Sequence, residues 1–217
     1  MIFKRYFEVA GIITLLLIPA IAQGAGISVN KADLITTLSG YHGLPDDNYL
    51  KKLDQADLNS TLQEIVDDKL THTFVRSRAV YILGKLASPT DLNSYLRAKI
   101  KEEQNSHVRA SMYDTIGKRG GDDTVDILDE GLYDSSEMVN MVSAKRLSII
   151  GSEEAKGKLM QASTKAKSES MRKYMRKSVD RLDKIKERKK IAIINQDDRP
   201  AKSKQAEGEL EGRGLNY

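Results

Sequence analysis

Apolar side chains return every three or four positions through most of this sequence, and Gly, Pro, Asp and Ser break the pattern at intervals. Leu58, Leu62, Ile65 and Val66 form one stripe; Leu92, Leu96 and Ile100 form the next; Val108, Met112 and Ile116 form a third. That spacing puts the apolar residues on one face of a helix, and the runs of β-branched residues that favour strands are scarce. The stripes predict a short leading helix over 32–39, a break at 40–45, then helices over 57–69 and 74–86. Ser88 is a fitting N-cap with Pro89 at the first helical position. Further helices are predicted over 108–117, around Val125, Leu128 and Leu132, over 138–150, and from Ser152 to about Ala162. The class expected is all-α.

Two of these helices nearly repeat each other. "FVRSRAVYILGKL" begins at Phe74 and "HVRASMYDTIGKR" at His107, thirty-three residues on. Val75 matches Val108, Arg76 matches Arg109, and Gly84-Lys85 matches Gly117-Lys118. A worn third copy follows, with Val142 and Gly151 in place but Ser143 where the arginine stood. Each copy reads as two helices, the second of them closed by the glycine. A hairpin of this size cannot cover its own apolar face, so three or more such units are needed to share a core.

The segments "VRSRAVYILGKL", "VRASMYDTIGKR" and "VSAKRLSIIGSEEAKGKLM" resemble HEAT-like repeats of the short type named after phycobilisome lyases. The resemblance spans about 57–162. It implies a right-handed α-solenoid of about four or five hairpins that acts as a binding scaffold. It also implies that the repeat arginines, Arg76 and Arg109, contact an acidic residue of a neighbouring repeat. Asp67, Asp68 and Asp134 are the candidates for such a ladder; recognition of an acidic ligand by the planar guanidinium fork is the alternative.

Charge divides the chain in two. Residues 23–137 carry thirteen Lys and Arg against nineteen Asp and Glu, and residues 138–217 carry twenty against eleven. Most of the positive end lies in "KAKSESMRKYMRKSVDRLDKIKERKK", where Met171, Met175, Ser178, Leu182 and Ile185 draw an apolar stripe through a basic helix over 165–194. Three roles fit it: a terminal cap on the repeats, a dock for an acidic protein or a second copy, or contact with anionic lipid or another polyanion; Arg172, Lys173, Arg176, Lys177, Arg181 and Lys184 are its candidate partner-binding residues, beside Arg76 and Arg109 in the repeats. Beyond Asn195 the tail is polar and reads as disordered.

The first residues, "MIFKRYFEVAGIITLLLIPAIAQGAG", have the layout of a secretory signal peptide with cleavage after Ala22. An uncleaved anchor is the rival, but the apolar run is shorter than the roughly 20 residues that span a bilayer. The expected organisation is therefore a signal peptide over 1–22, a leader and capping helix over 23–56, repeats over 57–164, the basic helix, and the tail. The periplasm or the cell exterior is the expected setting, with an acidic protein of the envelope as partner and no nucleic acid.

The sequence offers little for catalysis. Absence of cysteine excludes disulfides, thiolate metal sites and cysteine nucleophiles. His42, His72 and His107 show no paired ligand spacing, so a zinc site is not expected. Asp122, Asp126 and Asp129 share a helix face but lack the order of a calcium loop, which favours a solvated acidic face. There is no nucleophile elbow, phosphate-binding loop or dinucleotide glycine pattern, and neither an enzyme nor a cofactor is expected.

Overall fold

A computed structural model of the protein describes residues 26–40, 43–86, 89–121 and 124–197. The expected signal peptide, His42, Ser88, Asp122, Asp123 and the tail from 198 lie outside the described residues. The described chain is all-helical: α1 (Lys31–Ser39), α2 (Asp47–Lys52), α3 (Gln55–Asp67), α4 (Thr73–Leu86), α5 (Pro89–Glu102), α6 (Ser106–Arg119), α7 (Val125–Gly131), α8 (Glu137–Ile150), α9 (Glu153–Lys165) and α10 (Glu169–Asp197). One parallel bridge, Ile27 to Leu53, ties the leading segment to the end of α2.

Short polar side chains start the helices by accepting N–H groups that the first turn leaves unpaired. Asn30 does so for Ala32 and Asp33, Asp54 for Ala56 and Asp57, Asn105 for His107 and Val108, Ser152 for Ala155, and Ser168 for Met171. The cap at Ser168 corrects the expected boundary of the basic helix. Lys165 ends α9, a short connection follows, and α10 starts at Glu169 rather than at 165.

The helices associate in pairs: α3 with α4, α5 with α6, α7 with α8, and α9 with α10. The second members also contact one another in series, α4 to α6, α6 to α8 and α8 to α10. One continuous apolar core runs from Leu34 to Leu182 through every pair. Val108, Met112 and Ile116, the stripe expected for the second helix of its pair, are all at most 1% exposed.

The signature glycine does not end the second helix in the first two copies. α4 continues two residues past Gly84 and α6 two past Gly117. Their function is close approach: a Cβ at Gly84 would lie 2.4 Å from Thr115 Cγ2 on α6, and one at Gly117 would lie 2.5 Å from Arg146 Cβ on α8. Only in the worn copy is the glycine a helix terminator. Gly151 takes φ +71°, a left-handed C-cap, and its N–H bonds to the Leu147 carbonyl.

Candidate interaction surface

Arg76 lies on α4 and is 3% exposed. Its Nε and Nη2 donate to the Val66 carbonyl at 2.9 and 2.8 Å, capping the end of α3, and Nη2 also pairs with Glu103 just past α5. Glu103 is itself buried and takes Lys69 Nζ at 2.7 Å and the Asn105 N–H at 2.8 Å. Burial works to raise the Glu103 carboxyl's pKa, but the Arg76 guanidinium, the Lys69 ammonium and the Asn105 N–H outweigh it and hold it at about 2. One connection between repeats thus rests on an enclosed cluster of charge.

Arg109 repeats the arrangement one layer on. Its Nε and Nη2 form a fork onto Asp134 at 2.8 and 2.7 Å, and Nη1 donates to the carbonyls of Glu103 and Gln104 at the end of α5. Asp134 is held below the usual carboxylate range because Arg109 and the Ser136 N–H offset the cost of its burial. In the third copy, where Ser143 has replaced the arginine, Asn140 Nδ2 serves the preceding helix end instead, donating to Gly131 and Asp134 carbonyls at 3.0 Å each.

Both repeat arginines are therefore engaged in contacts that link successive pairs. Asp134 was among the residues expected to answer them. Glu103 was not, since the run from Glu102 to Ser106 reads as a plain polar turn. Asp67 and Asp68 are occupied elsewhere: Asp67 by Lys99 at 2.8 Å, Asp68 by Thr71 and, at 3.4 Å, by Lys31. No sequence signal marks Glu103, because its position does not correspond to Asp134 under the thirty-three-residue repeat.

Along the row formed by α4, α6 and α8, polar contacts continue from helix to helix. Arg119 donates to the Gly84 carbonyl, Arg146 Nε donates to Asp114 at 2.7 Å, and Lys118 joins Asp114 while lying 4.7 Å from the Tyr81 ring centre. Two depressions lie between α4 and α6. One, of about 490 Å³, is lined by Phe74, Ser77, His107 and Ser111; the other, of about 200 Å³, by Tyr81, Lys85, Thr115 and Lys118. Phe74, His107 and Met141, equivalent positions in the three copies, are all exposed, the first two at the starts of α4 and α6 and Met141 one turn into α8.

The histidines and the acidic helix face lie apart from one another. His72 and His107 are exposed, and His72 Nδ1 accepts the Phe74 N–H at 3.2 Å. Asp126 and Asp129 both receive Lys158 Nζ, at 3.1 and 3.0 Å, so α9's ammonium occupies that acidic face. Among the described residues no group of three or more acidic, histidine or cysteine side chains is placed to hold a metal.

α10 closes the series. Met171, Met175, Ser178 and Leu182 are buried, and this helix contacts both α8 and α9. Arg172 bonds Glu169 at 2.9 Å and the Ala166 carbonyl at 3.3 Å. Lys173, Arg176, Lys177, Arg181 and Lys184 are exposed, and among the described residues none of the five forms a salt bridge. No described helix is long and apolar enough to cross a membrane.

No family model, no curated protein and no solved structure matches the chain.

Proposed function

We propose that the protein is a non-catalytic interaction scaffold of the cell envelope, a right-handed α-solenoid of HEAT-like hairpins that presents its row of second helices to a protein partner. The observation that carries this reading is the serial contact of α4, α6, α8 and α10 over one unbroken core. Stacked hairpins of this kind give an extended surface larger than any single element supplies. The ion pairs between layers support the same reading, because Arg76, Arg109, Arg146 and Lys158 each fix one unit against the next. A rigid row loses less conformational freedom on binding than a mobile one. The layout of residues 1–26 supports export, and an acidic surface on the partner would complement the basic C-terminal half.

Site-specific photo-crosslinking in cells of origin tests the proposal. A crosslinking amino acid placed at Phe74, Ser111 or Lys145, on the second helices, is expected to give one discrete adduct band. The same probe at Glu64, Ala98 or Gln161, on the first helices, is expected to give none. Adducts of equal strength from both sets, or from neither, would defeat it.

A further inference from the structure

We infer that the outward face of α10 is a peripheral docking site for an anionic phospholipid surface, held by charge alone. With 100° of turn per residue, Lys173, Lys177 and Lys184 lie opposite the buried Met171, Met175 and Leu182, and Arg176 and Arg181 flank them. The line from Lys173 to Lys184 is about 16 Å long at helical rise. Asp180 is the acidic residue within it; Asp183 turns to Lys156 of α9. Elsewhere the cations are largely committed, as with Lys85 to Asp47, Lys99 to Asp67, Lys118 to Asp114 and Lys158 to Asp129. Five neighbouring cations with no salt-bridge partner among the described residues, on one side of one helix, stand out against that pattern.

The makeup of the stripe favours lipid phosphates over a protein. Cores of protein interfaces are depleted in Lys and rely on aromatic anchors set in pockets. From 173 to 184 the outward positions carry no aromatic or large apolar side chain. The straight, convex side of a helix matches a planar array of mobile headgroups better than it matches a pocketed surface. Insertion through Met171, Met175 and Leu182 is not available, because they are already buried where α10 packs on α8 and α9. Contact through the 173–184 stretch is therefore electrostatic, and it neither requires nor excludes a protein on the row of second helices.

Each cation close to an anionic leaflet strengthens partitioning roughly fivefold, so five less one aspartate give on the order of several hundred-fold over a neutral surface. The test is co-sedimentation of the 23–217 chain, which contains every described residue, with vesicles of phosphatidylcholine alone or with 30 mole per cent phosphatidylglycerol. Binding is expected to the anionic vesicles only, to fall at least tenfold between about 50 and 500 mM salt, and to be washed off completely at the higher concentration. Lys173→Glu/Lys177→Glu/Lys184→Glu is expected to lose at least a hundredfold, with an unchanged thermal midpoint. Lys51→Glu/Lys52→Glu/Lys101→Glu, which alters net charge equally at other exposed sites, is expected to lose less than tenfold. Salt-resistant binding, equal binding to neutral vesicles, equal losses in both triple variants, or binding to heparin without binding to the vesicles would each overturn the assignment.

Discussion

Replacing Arg76 with Met removes the guanidinium but keeps most of the side chain's volume, leaving Glu103 as a carboxylate 2% exposed with only Lys69 and the Asn105 N–H to answer it. Removing one partner of a buried ion pair costs about 3–5 kcal/mol, because the remaining charge stays out of water. The lowered pKa points the same way: a carboxyl moved from its ordinary 4.5 to about 2 reflects roughly 3 kcal/mol in favour of the ionised folded form, shared among Arg76, Lys69 and the Asn105 N–H. Against a typical total of about 5–15 kcal/mol, the change is severe. Urea unfolding at pH 7, followed by far-ultraviolet circular dichroism, measures it directly.

Two companion variants separate the causes. Arg76→Met/Glu103→Met removes both charges and is expected to recover all but about 1–2 kcal/mol, the residue being the lost donor to the Val66 carbonyl. Glu103→Gln addresses the pH dependence. The folded carboxyl holds its proton less tightly than the unfolded one, so the stabilisation is complete above about pH 4.5 and fades as pH falls toward 2. Stability of the parent chain should decline through that window, and Glu103→Gln should flatten the decline, with Asp114 and Asp134 among the lowered carboxyls that supply what remains. An Arg76→Met cost below about 1 kcal/mol, or an acid profile untouched by Glu103→Gln, would refute the reasoning.

Gly84→Ala should destabilise by about 1–3 kcal/mol despite alanine's better helix propensity, because its Cβ meets Thr115 Cγ2; adding Thr115→Ser should restore most of the loss in the same urea assay. Gly151→Ala should cost about 1 kcal/mol through its left-handed φ, seen as a lower thermal midpoint. Arg109→Met should cost less than Arg76→Met, since the Arg109 and Asp134 side chains are both 11% exposed and water can partly replace the lost pair. Ending the chain at Ala166 uncovers the surface that Met171, Met175 and Leu182 cover, at roughly 1.5–3 kcal/mol for each, and calorimetry should show a broader, earlier transition.

Apolar spacing made the helices legible in advance, to within two or three residues at most ends. The start of α10 is the exception, at Glu169 rather than the expected 165; Leu132, expected in one helix with Val125 and Leu128, is the C-cap of α7. α2 went unforeseen, six residues with Leu50 as their single buried side chain, too short for a stripe to register. Glycine was legible as a repeated letter but not as a mechanism. The same position serves close packing against Thr115 or Arg146 in two copies and a left-handed cap in the third, and only neighbouring side chains distinguish those uses. Arg172, Lys173, Arg176, Lys177, Arg181 and Lys184 were legible as a set, yet Arg172 proves to be tied to Glu169 and Ala166 while the other five form no salt bridge among the described residues. Partner choice for the arginines lay beyond the sequence, since contacts across 25 or 27 residues depend on where each loop ends.

The two faces of α10 impose different demands on one helix, and the apolar face decides what the basic face can do. Met171, Met175 and Leu182 cover the last layer, so the helix cannot roll to offer them elsewhere without opening the core. A basic amphipathic helix free in solution would present both faces to a membrane and insert. Here packing has buried Met171, Met175 and Leu182 and so fixed the orientation of the basic positions beside them, and Lys173, Lys177 and Lys184 act from a rigid mount. Affinity should then depend on salt and on the charge density of the opposing surface, and very little on its hydrophobic thickness or packing. Should the stripe variant bind normally while truncation at Ala166 alone abolishes binding, α10 would be acting through its buried face, and both the cap and the electrostatic dock would have to be abandoned together.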